Sequence, residues 1–193
     1  MSIKKSHFTI AALVVAIGCL VVAIKYARYY VVPKRFVAIQ QNVYRGGKQT
    51  DRVFRELQDK YTFKTVVSLT GEFKEQEDVV TAAGGHYVFY NWQGSGIGPF
   101  DEYRKVGALL ANTASQPAFF HCAAGDKRSN AATFAVSLEE GMTPDAAFTR
   151  LEQFGFSKAE DTKLYAHLKA YADWREHQSQ KSTELSLKSS ESK

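Results

Sequence analysis

His121-Cys122-Ala123-Ala124-Gly125-Asp126-Lys127-Arg128-Ser129 places a cysteine, five intervening residues, an arginine and a hydroxyl residue in one run. A cysteine at the end of a strand can attack phosphorus as its thiolate. The five-residue loop can turn its N–H groups onto a phosphate, and the planar guanidinium of Arg128 can hold two phosphate oxygens at once. A helix starting near Arg128 would aim its positive end at the same point, which lowers the thiol pKa and favours a bound dianion. Ser129 can donate a hydrogen bond to the thiolate as it leaves.

The flanks predict the elements that would hold this loop. Pro117 to His121 is a short apolar run that reads as a buried strand. Ala131 to Leu138 is alanine-rich and stops at Glu139-Glu140-Gly141, the pattern of a helix with a glycine end. Strand, tight loop and helix form the context such a motif requires. A side chain at Gly125 would obstruct a backbone wrapped around an anion.

The segment resembles the phosphate-binding loop of cysteine-dependent protein tyrosine phosphatases, His-Cys-x-x-Gly-x-x-Arg-Ser/Thr. Two further segments resemble the compact dual-specificity branch in its bacterial form: Asn42 to Thr50, around Tyr44-Arg45-Gly46-Gly47, and Thr65 to Glu72. The likeness covers roughly residues 36 to 175. It implies a mostly parallel central sheet flanked by helices. It also implies Cys122 as nucleophile through a phospho-cysteine intermediate and Arg128 as transition-state stabiliser. Ser129 would assist thiolate departure, and the backbone from Ala123 through Gly125, Asp126 and Lys127 to Arg128 would form the anion cradle. His121 would order the loop or simply pack. No metal or cofactor is implied.

Family members carry an acidic residue on a loop about thirty positions before the cysteine, to protonate the leaving oxygen. Here that distance falls on Tyr90-Asn91-Trp92. The expected acid is therefore Asp101, at the end of a loop holding Gly94, Gly96, Gly98 and Pro99; its alternative role is a helix cap. Glu72 is the second candidate. The glycines suggest a loop that closes over substrate. The expected substrate is a phosphorylated protein, phosphotyrosine first and phosphoserine or phosphothreonine second. A weakly catalytic phosphate-recognition module and a rhodanese-like sulfur transferase are the competing readings.

The remaining sequence sets the surroundings. The formal net charge is +5, but residues 36–178 hold 16 basic and 18 acidic residues, so the excess lies outside the domain and a nucleic-acid partner is not expected. Phe8 to Ile24 is 17 residues without a charge, followed by Lys25 and three tyrosines, and predicts a single membrane anchor. A cleaved secretory signal is the alternative. The expected division is a tail at 1–7, the anchor at 8–24, a basic linker at 25–35, the phosphatase-like domain at 36–178 and a disordered polar tail at 179–193. Cys122 is the only cysteine beyond the anchor, so no disulfide forms within the domain. The resemblance to bacterial exported phosphatases implies an inner membrane with the domain on the periplasmic side. Lys25, Arg28, Lys34 and Arg35, however, outnumber Lys4 and Lys5 and point to the opposite orientation.

Overall fold

The computed structural model describes residues 3–191, with side chains at 13–28 and 31–181. Helix α1 runs over Ile3–Val31, followed by strands β1 (Val37–Gln40) and β2 (Val43–Gly47) and helix α2 (Asp51–Tyr61). Then come β3 (Thr65–Ser68), α3 (Lys74–Ala82), β4 (His86–Phe89), α4 (Phe100–Ala111), β5 (Ala118–Cys122), α5 (Lys127–Glu139), α6 (Pro144–Glu152) and α7 (Thr162–Glu191). The five strands order as β1-β2-β5-β3-β4; only the β1–β2 pair is antiparallel. The expected α/β architecture is present.

Every residue of β5 is buried, as its uniform apolar run predicts for a central parallel strand. On one side of the sheet, α5 lies against Tyr103, Val106 and Leu110 of α4 and Phe148 and Leu151 of α6. Phe54, Leu57, Phe63, Val66 and Phe119 form a second cluster with α2. Thr50 caps α2, its hydroxyl accepting from Val53 N–H at 3.5 Å, and Thr143 caps α6 in the same way, with Pro144 next. β4 lies at the sheet edge with no fully buried residue, so its apolar run is only half covered.

Two expectations at the termini change. The linker at 25–35 is helical as far as Val31, because α1 continues through it. The tail at 179–193 is helical as far as Glu191 rather than disordered. Leu164, Leu168, Tyr171 and Ala172 anchor α7 in the core, and helix propagation beyond a packed segment costs little for Gln, Lys, Glu and Leu. The expected span Phe8–Ile24 begins at residues whose side chains lie outside the described set. Among the described residues no helix is long and apolar enough to cross a membrane.

Gly107 sets the closeness of α4 to α5: a Cβ there would lie 2.8 Å from Ala135 O. On an open helix face, glycine to alanine stabilises by up to about 1 kcal/mol. Here Gly107→Ala is expected to destabilise by about 1–3 kcal/mol, since backbone rather than a mobile side chain must yield. Urea unfolding measures it, and a stabilised variant would contradict the close crossing.

Candidate active site

Cys122 ends β5 beside Gly47 of β2, and His121 stands between Gly46 of β2 and Ser68 of β3. The strand delivers the cysteine to the carboxyl edge of the sheet, where parallel α/β folds place their ligands. The chain then turns through Ala123–Asp126 into α5. Gly125 has φ +73°, and a Cβ on it would lie 2.5 Å from Gly47 N and 2.6 Å from Gly46 C. A Cβ on Gly47 would in turn approach Ala124 C to 3.1 Å. Gly125 is thus required by the backbone beneath the loop, not only by an anion above it.

Cys122 is 2 % exposed. Its Sγ accepts from Gly125 N–H at 3.2 Å and lies 3.3 Å from Ser129 Oγ. Ser129 Oγ is also 3.2 Å from Gly46 O, so its single proton turns to the sulfur when the sulfur carries charge. Burial pushes the thiol pKa up. The Ser129 hydroxyl and the N–H groups of Asp126, Ser129 and Ala124 outweigh burial, and the thiol sits below its ordinary range.

Asp126 and Lys127 direct their charges away from the cradle. Asp126 pairs with Arg35 at 3.2 Å, and Lys127 with Asp161 at 3.1 Å. The cradle is therefore backbone plus Arg128, whose Nη1 donates to Trp92 O at 3.3 Å. Trp92 is buried, and its indole N–H donates to Glu102 Oε2 at 2.7 Å.

The loop holding Gly94 to Pro99 was expected to close over substrate; at Gly96 and Gly98 it is already packed down. A Cβ on Gly96 would lie 2.8 Å from Lys127 O, and one on Gly98 would lie 2.8 Å from the Trp92 ring. Tyr103 donates its hydroxyl to Gly96 O, and His167 Nε2 lies 2.9 Å from Gly98 O. These glycines permit close approach rather than mobility.

Asp101 follows that loop in the first turn of α4. It is not the cap: that position belongs to Pro99. Its carboxylate pairs with Lys105 Nζ at 3.2 Å, with its side chain 54 % exposed. None of its described contacts reaches Cys122 or Arg128. Glu72 is exposed in the turn after β3.

His121 reaches both α3 and the backbone at Cys122. Its Nε2 meets Gln76 Oε1 of α3 at 2.8 Å, and its ring stacks on Phe119. Burial pushes its pKa down to about 3, against the upward pull of the hydrogen bond to the Cys122 backbone and with the Lys48 and Arg128 cations also acting downward, so the ring is neutral.

Three residues that sequence reasoning passed over support the loop. Arg45, 2 % exposed, donates to Gly125 O at 3.2 Å and Thr133 Oγ1 at 3.1 Å, with its guanidinium 4.6 Å from the Phe154 ring centre. Burial pulls its pKa down to about 10, while Cys122 and Asp126 act upward. Lys34 Nζ donates to Ala123 O at 2.8 Å. Gln49 bridges Lys34 and Gly47, accepting from Lys34 N–H at 2.7 Å and donating to Gly47 O at 2.7 Å. The Tyr44-Arg45-Gly46-Gly47 segment was the available signal for Arg45. Spacing carried none for Lys34, 88 residues before Cys122. Among the described residues no cluster of His, Cys, Asp or Glu could hold a metal ion.

No family model and no curated relative matches the chain. Solved structures do. The core catalytic domain of the PP-IP phosphatase SIW14 from S. cerevisiae is 20% identical, with a TM-score of 0.53 over 69% of this chain and 85% of that one. P. aeruginosa TpbA is 18% identical at 0.56, covering 71% and 84%, and Tk-PTP in its active form 12% at 0.58, covering 72% and 97%. The chain has the fold of the cysteine-dependent protein tyrosine phosphatase-like superfamily. Within that fold Cys122, Arg128 and Ser129 share one loop and helix start, as the motif implied.

Ser129→Ala removes the one side-chain donor to Cys122 Sγ among the described residues and is expected to raise the thiol pKa. Thiolate forms as pH rises through that pKa, so the pH profile of iodoacetamide alkylation should shift upward. An unchanged profile would leave stabilisation to the backbone alone.

Proposed function

We propose that the protein is a cysteine-dependent phosphatase acting on phosphotyrosine, with phosphoserine and phosphothreonine as lesser substrates, and that α1 attaches it to a membrane. The observation that carries the catalytic reading is a buried thiol whose pKa is lowered by Ser129 and loop N–H groups, with Arg128 in the first turn of the helix that follows the loop. In the reaction Cys122 Sγ attacks phosphorus and the ester oxygen leaves with a proton. Water then cleaves the S–P bond, and Ser129 steadies the returning thiolate. Arg128 exchanges the Trp92 carbonyl for two phosphoryl oxygens, and its cationic fork holds charge that builds in the transition state.

Asp101 is the proposed proton donor, being a solvent-exposed carboxylate at the end of the loop on which Arg128 rests. Membrane attachment is supported by α1, where Leu13, Val14, Val15, Ile17, Leu20, Val21, Val22 and Ile24 are exposed on all sides of the helix. The acidic balance of residues 36–178 supports a protein substrate over nucleic acid.

Cys122→Ser is expected to abolish aryl phosphate turnover while phosphate analogues still bind. Arg128→Lys should lose on the order of 10²-fold in kcat/KM, because an ammonium cannot span two oxygens. Turnover by Cys122→Ser would remove the covalent mechanism, and activity on thiosulfate in place of aryl phosphate would indicate sulfur transfer.

Asp101→Asn should slow phosphotyrosine hydrolysis by about 10²-fold or more, but spare an aryl phosphate with an activated leaving group. The high-pH limb of the profile should flatten in the variant. Small equal losses on both substrates would leave Asp101 as a first-turn charge on α4. A selective loss in Glu102→Gln instead would move the donor by one residue.

A further inference from the structure

The first 50 residues contain no aspartate or glutamate; the first carboxylate in the chain is Asp51. Five cations from this stretch, Lys25, Arg28, Lys34, Arg35 and Lys48, line one pocket of about 310 Å³ between the end of α1 and the turn from β2 to α2. No carboxylate lines it. Among the described residues neither Lys25 nor Arg28 has an ion-pair partner, and Lys48 Nζ stands 3.7 Å over the Phe73 ring. Like charges gathered in a concave site repel one another and focus a positive potential, which an anion of more than one charge relieves.

The shape of the surroundings favours one source of that anion. Immediately before Lys25 lies the exposed apolar surface of α1, from Leu13 to Ile24. A molecule with a phosphate head and hydrocarbon tails would satisfy both at once: head among the cations, tails along the helix. Free phosphate would use only the first.

We propose that this pocket binds the phosphate headgroup of an acidic phospholipid, separately from the anion cradle at Cys122. The two sites touch through Lys34 and Arg35, which line the pocket and also bond Ala123 O and Asp126 of the catalytic loop. The pocket itself does not depend on the phosphatase reading; only the choice of a lipid over a free anion rests on α1 attaching to a membrane.

The test titrates the full-length chain in neutral detergent, by calorimetry, with dihexanoyl phosphatidic acid, dihexanoyl phosphatidylcholine and inorganic phosphate. Lys25→Gln/Arg28→Gln, distant from Cys122, serves as the variant, and Lys48→Gln on the opposite wall as an independent second one. The acidic lipid is expected to bind at least about tenfold more tightly than the choline lipid. The double variant should lose on the order of tenfold or more, with aryl phosphate turnover unchanged. Equal affinity for both lipids, or undiminished affinity in both variants, would overturn the proposal. Inorganic phosphate binding as tightly, with the same dependence on Lys25 and Arg28, would overturn the lipid assignment. Headgroup binding that persists while the chain fails to associate with vesicles would support the pocket and reject the membrane reading alone.

Discussion

The loop after Cys122 can exist only because its backbone lies directly on the backbone of β2. Gly125 rests against Gly46 and Gly47 at distances that admit no Cβ, and Gly47 is similarly pressed by Ala124. This contact fixes the height of the loop above the sheet and hence the direction of its N–H groups. It also brings Ser129 Oγ within reach of both Gly46 O and the sulfur, so one hydroxyl links strand, helix and nucleophile. A side chain at Gly125 would lift the loop away from the thiol it must stabilise.

The electrostatics of the site follow from the same arrangement. A buried thiolate is costly by itself, and burial alone would keep Cys122 protonated. The loop N–H groups and Ser129 reverse that preference, and Arg45 supplies a buried cation below. Arg45 bonds the Gly125 carbonyl, so the loop's oxygens are occupied from beneath while its N–H groups remain for the sulfur and an anion. The charged side chains within the loop, Asp126 and Lys127, are held by Arg35 and Asp161 and add little to the cradle. That division leaves Arg128 as the positive charge of the cradle.

The segment from Trp92 to Pro99 acts as a fitted wall. Trp92 receives Arg128 on its carbonyl and gives its indole N–H to Glu102, and Gly96 and Gly98 let the chain press against α5 and the indole. Arg128 therefore rests in a defined position before any phosphate arrives, which reduces the ordering needed on binding. The N-terminal side of the site is likewise built by distant chain: Lys34 and Arg35, at the foot of α1, hold the outer face of the loop.

The sequence by itself determined the chemistry of the central segment. The spacing of Cys122, Arg128 and Ser129, the apolar run before them and the alanine-rich run after them are local patterns, and local patterns dictate a strand, a tight turn and a helix. The α/β class followed from the alternation of such runs. Tertiary structure decided the rest. Arg45 became a loop support because β2 lies beside β5, a pairing between residues 80 apart from Arg45 to Gly125. Gly96 and Gly98 looked like flexibility in one dimension and proved to be close approach in three. The polar tail read as disordered because composition reports only what a segment can bury; its helix is nucleated by Leu164, Leu168 and Tyr171 upstream. A neighbouring charge or a Cβ clash is a property of two distant segments together, and no window of sequence contains both.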